Sequence, residues 1–311
     1  MGIAAKFSRK IIRIINGLVN IIVLTVILML LVFSCYAVWD SGQIHSTASS
    51  RNYQVYKPTQ EEETASFAEL QALNPDVFAW ITVYGTNIDY PVVQGQDNMR
   101  YVNTDVKGNH SVSGAIFMDY RCGANFTDFS SILYGHHMEN QAMFGEIGQF
   151  SNKNYFEERK YGELYVDGLD RGLEFFAFLH ADAYDFDIFH VNINDQEKQE
   201  YLDLLIDTAI HFREDVPVTT DDQIILLSTC SSDSTNGRDI LVAKITDSTF
   251  ENQFWEEEGE AFRLATSIDG VSGFWADAPM WMKAGVIAAP ILLILLAIIL
   301  TYKKGKGDKY S

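Results

Sequence analysis

A cysteine and an arginine stand at the two ends of a short polar loop. In QIILLSTCSSDSTNGRDILVAKI (223–245) one apolar run ends at Cys230, and a second begins just after Arg238. If the two runs form neighbouring strands, Cys230 and Arg238 lie close together across the loop 231–237. A guanidinium near sulfur favours the thiolate, and it could equally hold a substrate carbonyl or the oxyanion formed on attack. A buried cysteine beside a surface arginine is the alternative interpretation.

Among the seven histidines, His136 is the best candidate for an acid/base partner of that thiol. It follows SSILYG, so it too ends an apolar strand. A cysteine and a histidine on separate strand ends, far apart in sequence, are the expected arrangement for a thiol nucleophile with its proton carrier. His137 competes with it by position, whereas His211 is expected on a helix.

The number of cysteines is small. Cys35 lies in an apolar segment, which leaves Cys122 and Cys230 elsewhere, fewer than a disulfide scaffold would use. A single Cys122–Cys230 bridge is an alternative to two free thiols. The chain has no CxxC or HExxH motif and no His/Cys cluster at ligand spacing, so we expect no zinc site.

Short strands must position these residues. Strand-like runs between turn residues are FAWITV (78–83), IDYPVVQ (88–94), GAIFMD (114–119), SSILYGH (130–136), GELYVDGL (162–169), LEFFAFLHA (173–181) and the two runs around Cys230. Helical spacing is found in 64–73 and in 195–212, the latter just before the cysteine strand. About eight strands with one inserted helix favour a closed or nearly closed β-barrel, and a sandwich is the alternative.

Two uncharged segments, 18–39 and 284–302, are long enough to cross a bilayer as helices. Basic residues precede the first and follow the second. Because cationic flanks stay on the cytoplasmic side, we expect a cell-membrane protein with both termini inside and residues 40–282 outside. A cleaved signal peptide or a lipoprotein signal ending at Cys35 would be the alternatives for the first segment.

The segment between the two spans is strongly acidic, with 14 basic and 41 acidic residues in 40–282. Nucleic-acid binding needs a cationic surface, so this composition excludes nucleic acid as a partner. It predicts a well-solvated surface, which could also attract cationic partners.

Several ordered motifs resemble those of the sortases, most closely class B. They are LLSTC (226–230) with Arg238 after it, LYGHHM (133–138), WITVYGTNIDYPVVQGQDNMRYV (80–102) and GAIFMD (114–119). The resemblance covers residues 64–250. It implies a mainly β fold, an eight-stranded sortase barrel with an N-terminal helix and one long helix inserted before the cysteine strand.

The resemblance also implies a reaction. Cys230 would be the nucleophile, His136 the general acid/base and Arg238 the group that orients substrate and supports the oxyanion. The enzyme would attack the Thr carbonyl of a sorting motif near the C-terminus of a surface protein or pilin and form a thioester. An amine of a cell-wall peptide or of a pilin lysine would then resolve it. The resemblance calls for no cofactor or metal, and the calcium site found mainly in class A is not carried over.

Further residues near these motifs are candidates for substrate binding, namely Ser228, Thr229, Asn98 and Tyr101. Asn98 and Tyr101 belong with Asp97 to a DN..Y element shared with the family. A supporting role in the strands or turns is the alternative for all of them, and the resemblance gives Cys122 no role.

The expected organisation combines features of two classes. It consists of a basic tail (1–17), a transmembrane helix (18–39), a stalk or linker (40–63), the catalytic domain (64–250), an acidic juxtamembrane segment (251–283), a second transmembrane helix (284–302) and a basic tail (303–311). A C-terminal span is typical of class C pilin polymerases, yet residues 40–63 lack the Asp-Pro-aromatic lid of that class. A hydrolytic cysteine peptidase on the same barrel and a catalytically silent wall-binding module are the rival functions.

Overall fold

The computed structural model describes residues 3–58, 65–138, 141–230 and 236–255. The chain divides into two compact units, Met1–Asn252 and Gln253–Ser311, and the helices and strands given below lie in the first. The predicted second transmembrane helix at 284–302 lies outside the described residues, as does the acidic juxtamembrane segment beyond residue 255.

In the described part of the chain nine strands form a single sheet, and eight of them close into a barrel. They are β1 (Val77–Val83), β2 (Asp89–Val93), β3 (Ile116–Met118), β4 (Ser130–Tyr134), β5 (Tyr161–Val166), β6 (Leu169–Asp182), β7 (Ala209–Phe212), β8 (Gln223–Cys230) and β9 (Gly237–Thr246). Their order is β5-β1-β2-β3-β4-β8-β9-β6-β7, and β6 also pairs with β5. That last pairing closes the barrel and leaves β7 outside it, so the prediction of an eight-stranded barrel is confirmed.

The barrel is filled by the apolar faces of its strands and of the segments that cover them. The largest fully buried aromatic side chains are Trp80, Tyr90, Tyr101, Phe126, Phe144, Phe150, Phe175, Phe176 and Phe178. In β8 every residue from Ile224 to Thr229 is buried. A strand covered on both faces reads as a continuous apolar run rather than an alternating one, which explains the sequence before Cys230.

Among the residues that the structure describes, three short α-helices accompany the barrel, namely α2 (Ala65–Leu73), α3 (Lys153–Glu158) and α4 (Lys198–Thr208). α2 agrees with the predicted N-terminal helix. The helix before the cysteine strand is shorter than predicted, because Ala209 adopts an extended backbone and 209–212 pairs with the edge of β6. His211 therefore lies on a strand, and its predicted helical position is wrong. The apolar spacing of this segment is compatible with a helix or with a strand, and pairing with the open edge of β6 favours the strand.

The N-terminal helix α1 (Ile3–Ala48) contains the one stretch of the described chain, Ile15–Ala37, that is long and apolar enough to cross a membrane. The helix continues into the region expected to be a stalk. It is followed by two short 3-10 turns, Ser50–Asn52 and Gln54–Tyr56, and Tyr53 between them is buried. Residues 48–56 thus pack against the catalytic domain and do not form an extended stalk.

Candidate active site

The three residues singled out by the sequence lie at the ends of three adjacent strands at one edge of the barrel, with Arg238 at the start of β9. β4 and β8 run parallel with Tyr134 opposite Ser228, and the Gly135 amide donates to the Ser228 carbonyl at 3.1 Å. His136 lies two residues beyond Tyr134, and Cys230 lies two residues beyond Ser228. On the other side of β8, antiparallel β9 places Arg238 directly opposite Cys230. The register therefore brings Cys230 between the other two.

Cys230 is the first exposed residue after a buried strand. Ser228 and Thr229 are 1% and 2% exposed, whereas Cys230 is exposed and is a free thiol. The strand fixes the backbone and leaves the sulfur open to a substrate at its end. Cys122 is also a free thiol but is buried, so the alternative of a Cys122–Cys230 disulfide is wrong.

The His136 ring is oriented by a backbone carbonyl. Its Nε2 lies 2.8 Å from the Val102 oxygen. Because a carbonyl oxygen only accepts hydrogen bonds, Nε2 carries the hydrogen and Nδ1 is the nitrogen left to exchange a proton. We did not predict a role for Val102, since a backbone acceptor leaves no signal in the residue type.

Tyr101 supports the turn that presents this carbonyl. Its side chain is completely buried, and its hydroxyl donates to the Asp76 carboxylate at 2.7 Å and accepts from the Asn74 amide at 2.9 Å. The 3-10 turn Arg100–Val102 is held by these bonds. Tyr101 therefore lies beneath the site, and a substrate has no access to its side chain in this structure.

Asn98 joins a second supporting group. Its amide donates to the Asp119 carboxylate at 2.9 Å, and its oxygen accepts the Tyr120 amide at 3.0 Å. Asp97, next to it, caps the turn by accepting the Met99 and Arg100 amides at 2.8 and 2.9 Å. The DN..Y element thus forms a hydrogen-bonded turn beside the barrel.

Asp119 is the centre of that group and is fully buried. Arg121 donates to its carboxylate through Nε and Nη2 at 2.9 and 2.8 Å, and the Tyr134 hydroxyl donates at 3.1 Å. Burial alone would raise the pKa of Asp119, but the hydrogen bonds from Arg121 and Asn98 outweigh it and hold that pKa below its usual range. Since Tyr134 ends β4, the group fixes the strand that leads to His136.

Arg238 keeps its guanidinium available. It is half-buried and donates to the Gly237 carbonyl at 3.0 Å. Within the described ranges no carboxylate forms an ion pair with it. The next residue, Asp239, bonds instead to His180 Nδ1 at 3.0 Å. A guanidinium opposite an exposed thiol can bind a carbonyl oxygen or a developing oxyanion.

The hydroxyls of Ser228 and Thr229 are buried immediately before Cys230. Neither has a hydrogen-bond partner within the part of the chain that the structure describes. In the same part, no three His, Cys, Asp or Glu side chains are grouped so that they could hold a metal ion.

The barrel and its site define a class of protein, a cysteine-nucleophile enzyme of the acyl-transfer type. The thiol can act as a nucleophile, the imidazole can move protons at Nδ1, and the guanidinium can stabilise negative charge on oxygen. This combination has the groups that thioester chemistry needs.

Comparison with known proteins agrees with this class. The model of the Sortase domain matches residues 81–246. Sortase B of Staphylococcus aureus is 34% identical over 188 residues, which are 60% of this chain and 77% of that protein. A crystal structure of sortase B from the Type II pilus of Streptococcus pneumoniae is 47% identical, with a TM-score of 0.52, over 59% of this chain and 100% of that one. A mutant form of Clostridium perfringens sortase B is 35% identical, with a TM-score of 0.59, over 64% of this chain and 97% of that one.

The chain belongs to the sortase family, whose members are cysteine transpeptidases, and these relatives are class B sortases. The family resemblance seen in the motifs is thereby confirmed.

Proposed function

We propose that the protein is a membrane-anchored transpeptidase that cleaves a C-terminal sorting motif at its threonine and transfers the surface protein to an amine. The observation that carries this proposal is the register that sets Cys230 opposite Arg238 and beside the strand leading to His136. The exposed thiol, the oriented imidazole and the guanidinium opposite the thiol supply the parts that thioester chemistry needs.

The reaction follows from the three side chains. The Cys230 thiol passes its proton to His136 Nδ1, its sulfur attacks the Thr carbonyl, and Arg238 stabilises the oxyanion. His136 then gives that proton to the departing amine as the C–N bond of the peptide breaks. The result is a thioester on Cys230 and a free C-terminal fragment. An incoming amine then attacks the thioester and gives up a proton to His136. The new amide forms as the C–S bond breaks, and His136 returns the proton to the sulfur, which restores the thiol.

The accepting amine is either a cell-wall peptide or a pilin lysine. A crystal structure of Staphylococcus aureus sortase B, 28% identical to this chain, is complexed with triglycine, and another, 30% identical, is a substrate complex. The relative that is 47% identical comes from a pilus. We therefore propose both amines as substrates to be compared directly.

Intact-protein mass spectrometry tests the proposal. The purified protein is incubated with threonine-containing sorting peptides, with and without triglycine or a lysine peptide. We expect an adduct that is lost in Cys230→Ala, kept in the matched thiol control Cys122→Ala, and discharged onto an amine. Discharge to water alone, even with amine present, would indicate a hydrolytic peptidase. A folded protein that forms no adduct with any peptide would indicate a silent binding module.

We also propose that both termini are cytoplasmic and that residues 284–302 form a second span. The supporting observation is the basic residues that flank both apolar segments. Single cysteines placed at residue 5 and residue 308, in a chain with Cys35, Cys122 and Cys230 replaced by serine, should resist a membrane-impermeant maleimide in intact cells. Labelling at residue 308 alone would contradict the proposed second span.

A further inference from the structure

One phenol joins the end of the anchor helix to the segment that follows β4. Tyr90, on β2, is 2% exposed. Its hydroxyl donates to the carbonyl of Ala48, the last residue of α1, at 3.0 Å, and accepts the Met143 amide at 2.9 Å. Burial raises the pKa of Tyr90 to about 12, so the phenol stays neutral and keeps the proton that it donates.

Met143 is held in a backbone conformation that such a side chain rarely adopts. Its φ is 55°, and that of nearby Gln141 is 63°, both in the left-handed region. A long side chain strains the backbone there, and the conformation persists only where surrounding contacts impose it. Those contacts are the burial of the Met143 side chain and the hydrogen bond from its amide to Tyr90.

This strained turn packs directly on the backbone of His136. The Phe144 amide donates to the His136 carbonyl at 3.1 Å, and His137 pairs with Met143 as an isolated bridge. The Phe144 ring also fills the space beside Gly135, where an added Cβ would lie 2.7 Å from a ring carbon. The backbone of 135–137 therefore rests on residues 143 and 144.

A second contact holds the far side of the turn. The buried Glu146 carboxylate accepts the backbone amide of Asn87, in the β1–β2 hairpin, and its other oxygen accepts the Asn87 side-chain amide at 3.3 Å. The turn is thus fixed to the hairpin by Glu146 and to β2 by Tyr90. The Tyr90 contact also reaches the end of α1.

We propose that Tyr90 is a positioning residue for His136, because its hydroxyl holds the strained Met143 turn, and with it the His136 backbone, against the end of the anchor helix. The proposal rests on the assignment of His136 as the acid/base in the proposed function. Tyr90 touches no substrate in this scheme and acts through the turn.

Two variants of the full-length protein in nanodiscs test the proposal. Tyr90→Phe removes the hydroxyl and keeps the ring. Tyr84→Phe is the matched control, because Tyr84 is also buried and its hydroxyl lies elsewhere, 3.1 Å from the Glu163 carboxylate and 3.2 Å from the Phe250 carbonyl. We expect Tyr90→Phe to lower kcat for peptide transfer by about fivefold to twentyfold with KM unchanged within about twofold, since small misplacement of a catalytic group costs rate rather than affinity. Tyr84→Phe should leave both constants as they are.

A second readout does not depend on activity. The His136 ring, labelled with ¹³C and assigned by its loss in His136→Gln, is followed by NMR from pH 5 to pH 8. We expect the resonance and its titration midpoint to shift in Tyr90→Phe and to stay in place in Tyr84→Phe. If the wild-type protein transfers no peptide, the proposed function fails while this titration still decides the role of Tyr90.

Unchanged kcat together with an unchanged His136 titration in Tyr90→Phe would overturn the proposal. Should Tyr90→Phe not fold, Phe144→Leu takes its place, because it leaves the Tyr90 bonds intact and shortens the ring that packs on Gly135. The same loss of kcat and the same change in the His136 titration are then expected, and their absence would overturn the proposal equally.

Discussion

At the scale of single residues, the contrast between two thiols explains which one can react. Cys122 is buried, and burial raises its pKa to about 11 from a model-compound value of 9.0. Cys230 is exposed at a strand end opposite a cation. Because the thiolate is the reactive form, the fold protects one thiol and presents the other.

We therefore predict selective alkylation. A shift of this size lowers the thiolate fraction of Cys122 roughly 100-fold at neutral pH, and burial also blocks the reagent. Iodoacetamide at pH 7.5 should modify Cys230 at least about 100 times faster than Cys122. Peptide mapping after timed quenching measures both rates. Urea supplies the control, since unfolding should bring the two rates within a few-fold, and comparable rates in the native protein would contradict the assignment.

Arg238 provides a second prediction at this scale. Lysine keeps the positive charge but loses the planar fork that can bind one oxygen through two donors. Arg238→Lys should lower kcat/KM for acyl transfer by about 100-fold, the range found when one oxyanion donor is removed. Arg171→Lys is the control, because Arg171 pairs with the exposed Asp247 away from the site. A loss of less than threefold in Arg238→Lys would argue against a direct role.

At the scale of elements, the Asp119 group shows how a buried charge holds β3 and β4 in place. Asp119→Asn would leave Arg121 without its carboxylate and weaken the bond from Tyr134. We predict a loss of about 2–3 kcal/mol in the free energy of unfolding at pH 7, because hydrogen bonds to charged groups contribute the most when they are buried.

The stability lost in Asp119→Asn should decrease as the pH falls. The folded-state pKa of Asp119 is lowered from 3.8, so its stabilising contribution is complete above pH 3.8 and disappears as the pH falls through the folded value. Urea titrations of wild-type and Asp119→Asn at pH 7 and at pH 3 measure it. We expect the difference to shrink at the lower pH, and a constant difference would assign the effect to packing.

The elements themselves were largely predictable, and their long-range contacts were not. Strand-forming runs between turn residues predicted the positions of the barrel strands, and β8 was evident from its apolar run. The end of α4 was predicted wrongly, because 209–212 satisfies a helical pattern and yet pairs with β6. Nothing in the sequence links Tyr90 to Met143 or His136 to the Val102 carbonyl, since such bonds depend on the folded register.

At the scale of the whole molecule, buried polar contacts hold the chain that follows α1 against the barrel. Asp89 on β2 accepts Gln54 at 2.7 Å and pairs with Lys57 at 2.8 Å. Burial by itself would raise the pKa of Asp89, but Lys57 and the other donors hold it below its usual range. The catalytic domain therefore has a fixed connection to the helix that carries the candidate span.

Lys57→Met should weaken this connection. Losing the cation leaves Asp89 with neutral donors only, and we predict a cost of about 2 kcal/mol at pH 7. Lys153→Met is the control, because Lys153 pairs with Glu157 on the surface and such pairs contribute less than about 0.5 kcal/mol. Denaturant titration of the two variants measures the difference. Equal stability would show that the Lys57 pair does not stabilise the fold.

The charge of residues 40–282 bears on which amines the proposed thioester would accept. Residues 40–282 carry 41 acidic and 14 basic side chains. A field of this sign attracts cationic acceptors, and salt screens it. We predict that raising NaCl from about 0.05 to 0.5 M lowers kcat/KM for a lysine-peptide acceptor by threefold or more. Hydroxylamine, which is uncharged at pH 7.5, is the matched control and should show little change. Equal salt dependence for the two nucleophiles would show that salt acts on the sorting peptide or on the enzyme itself. It would contradict a role for the acidic surface in selecting the amine.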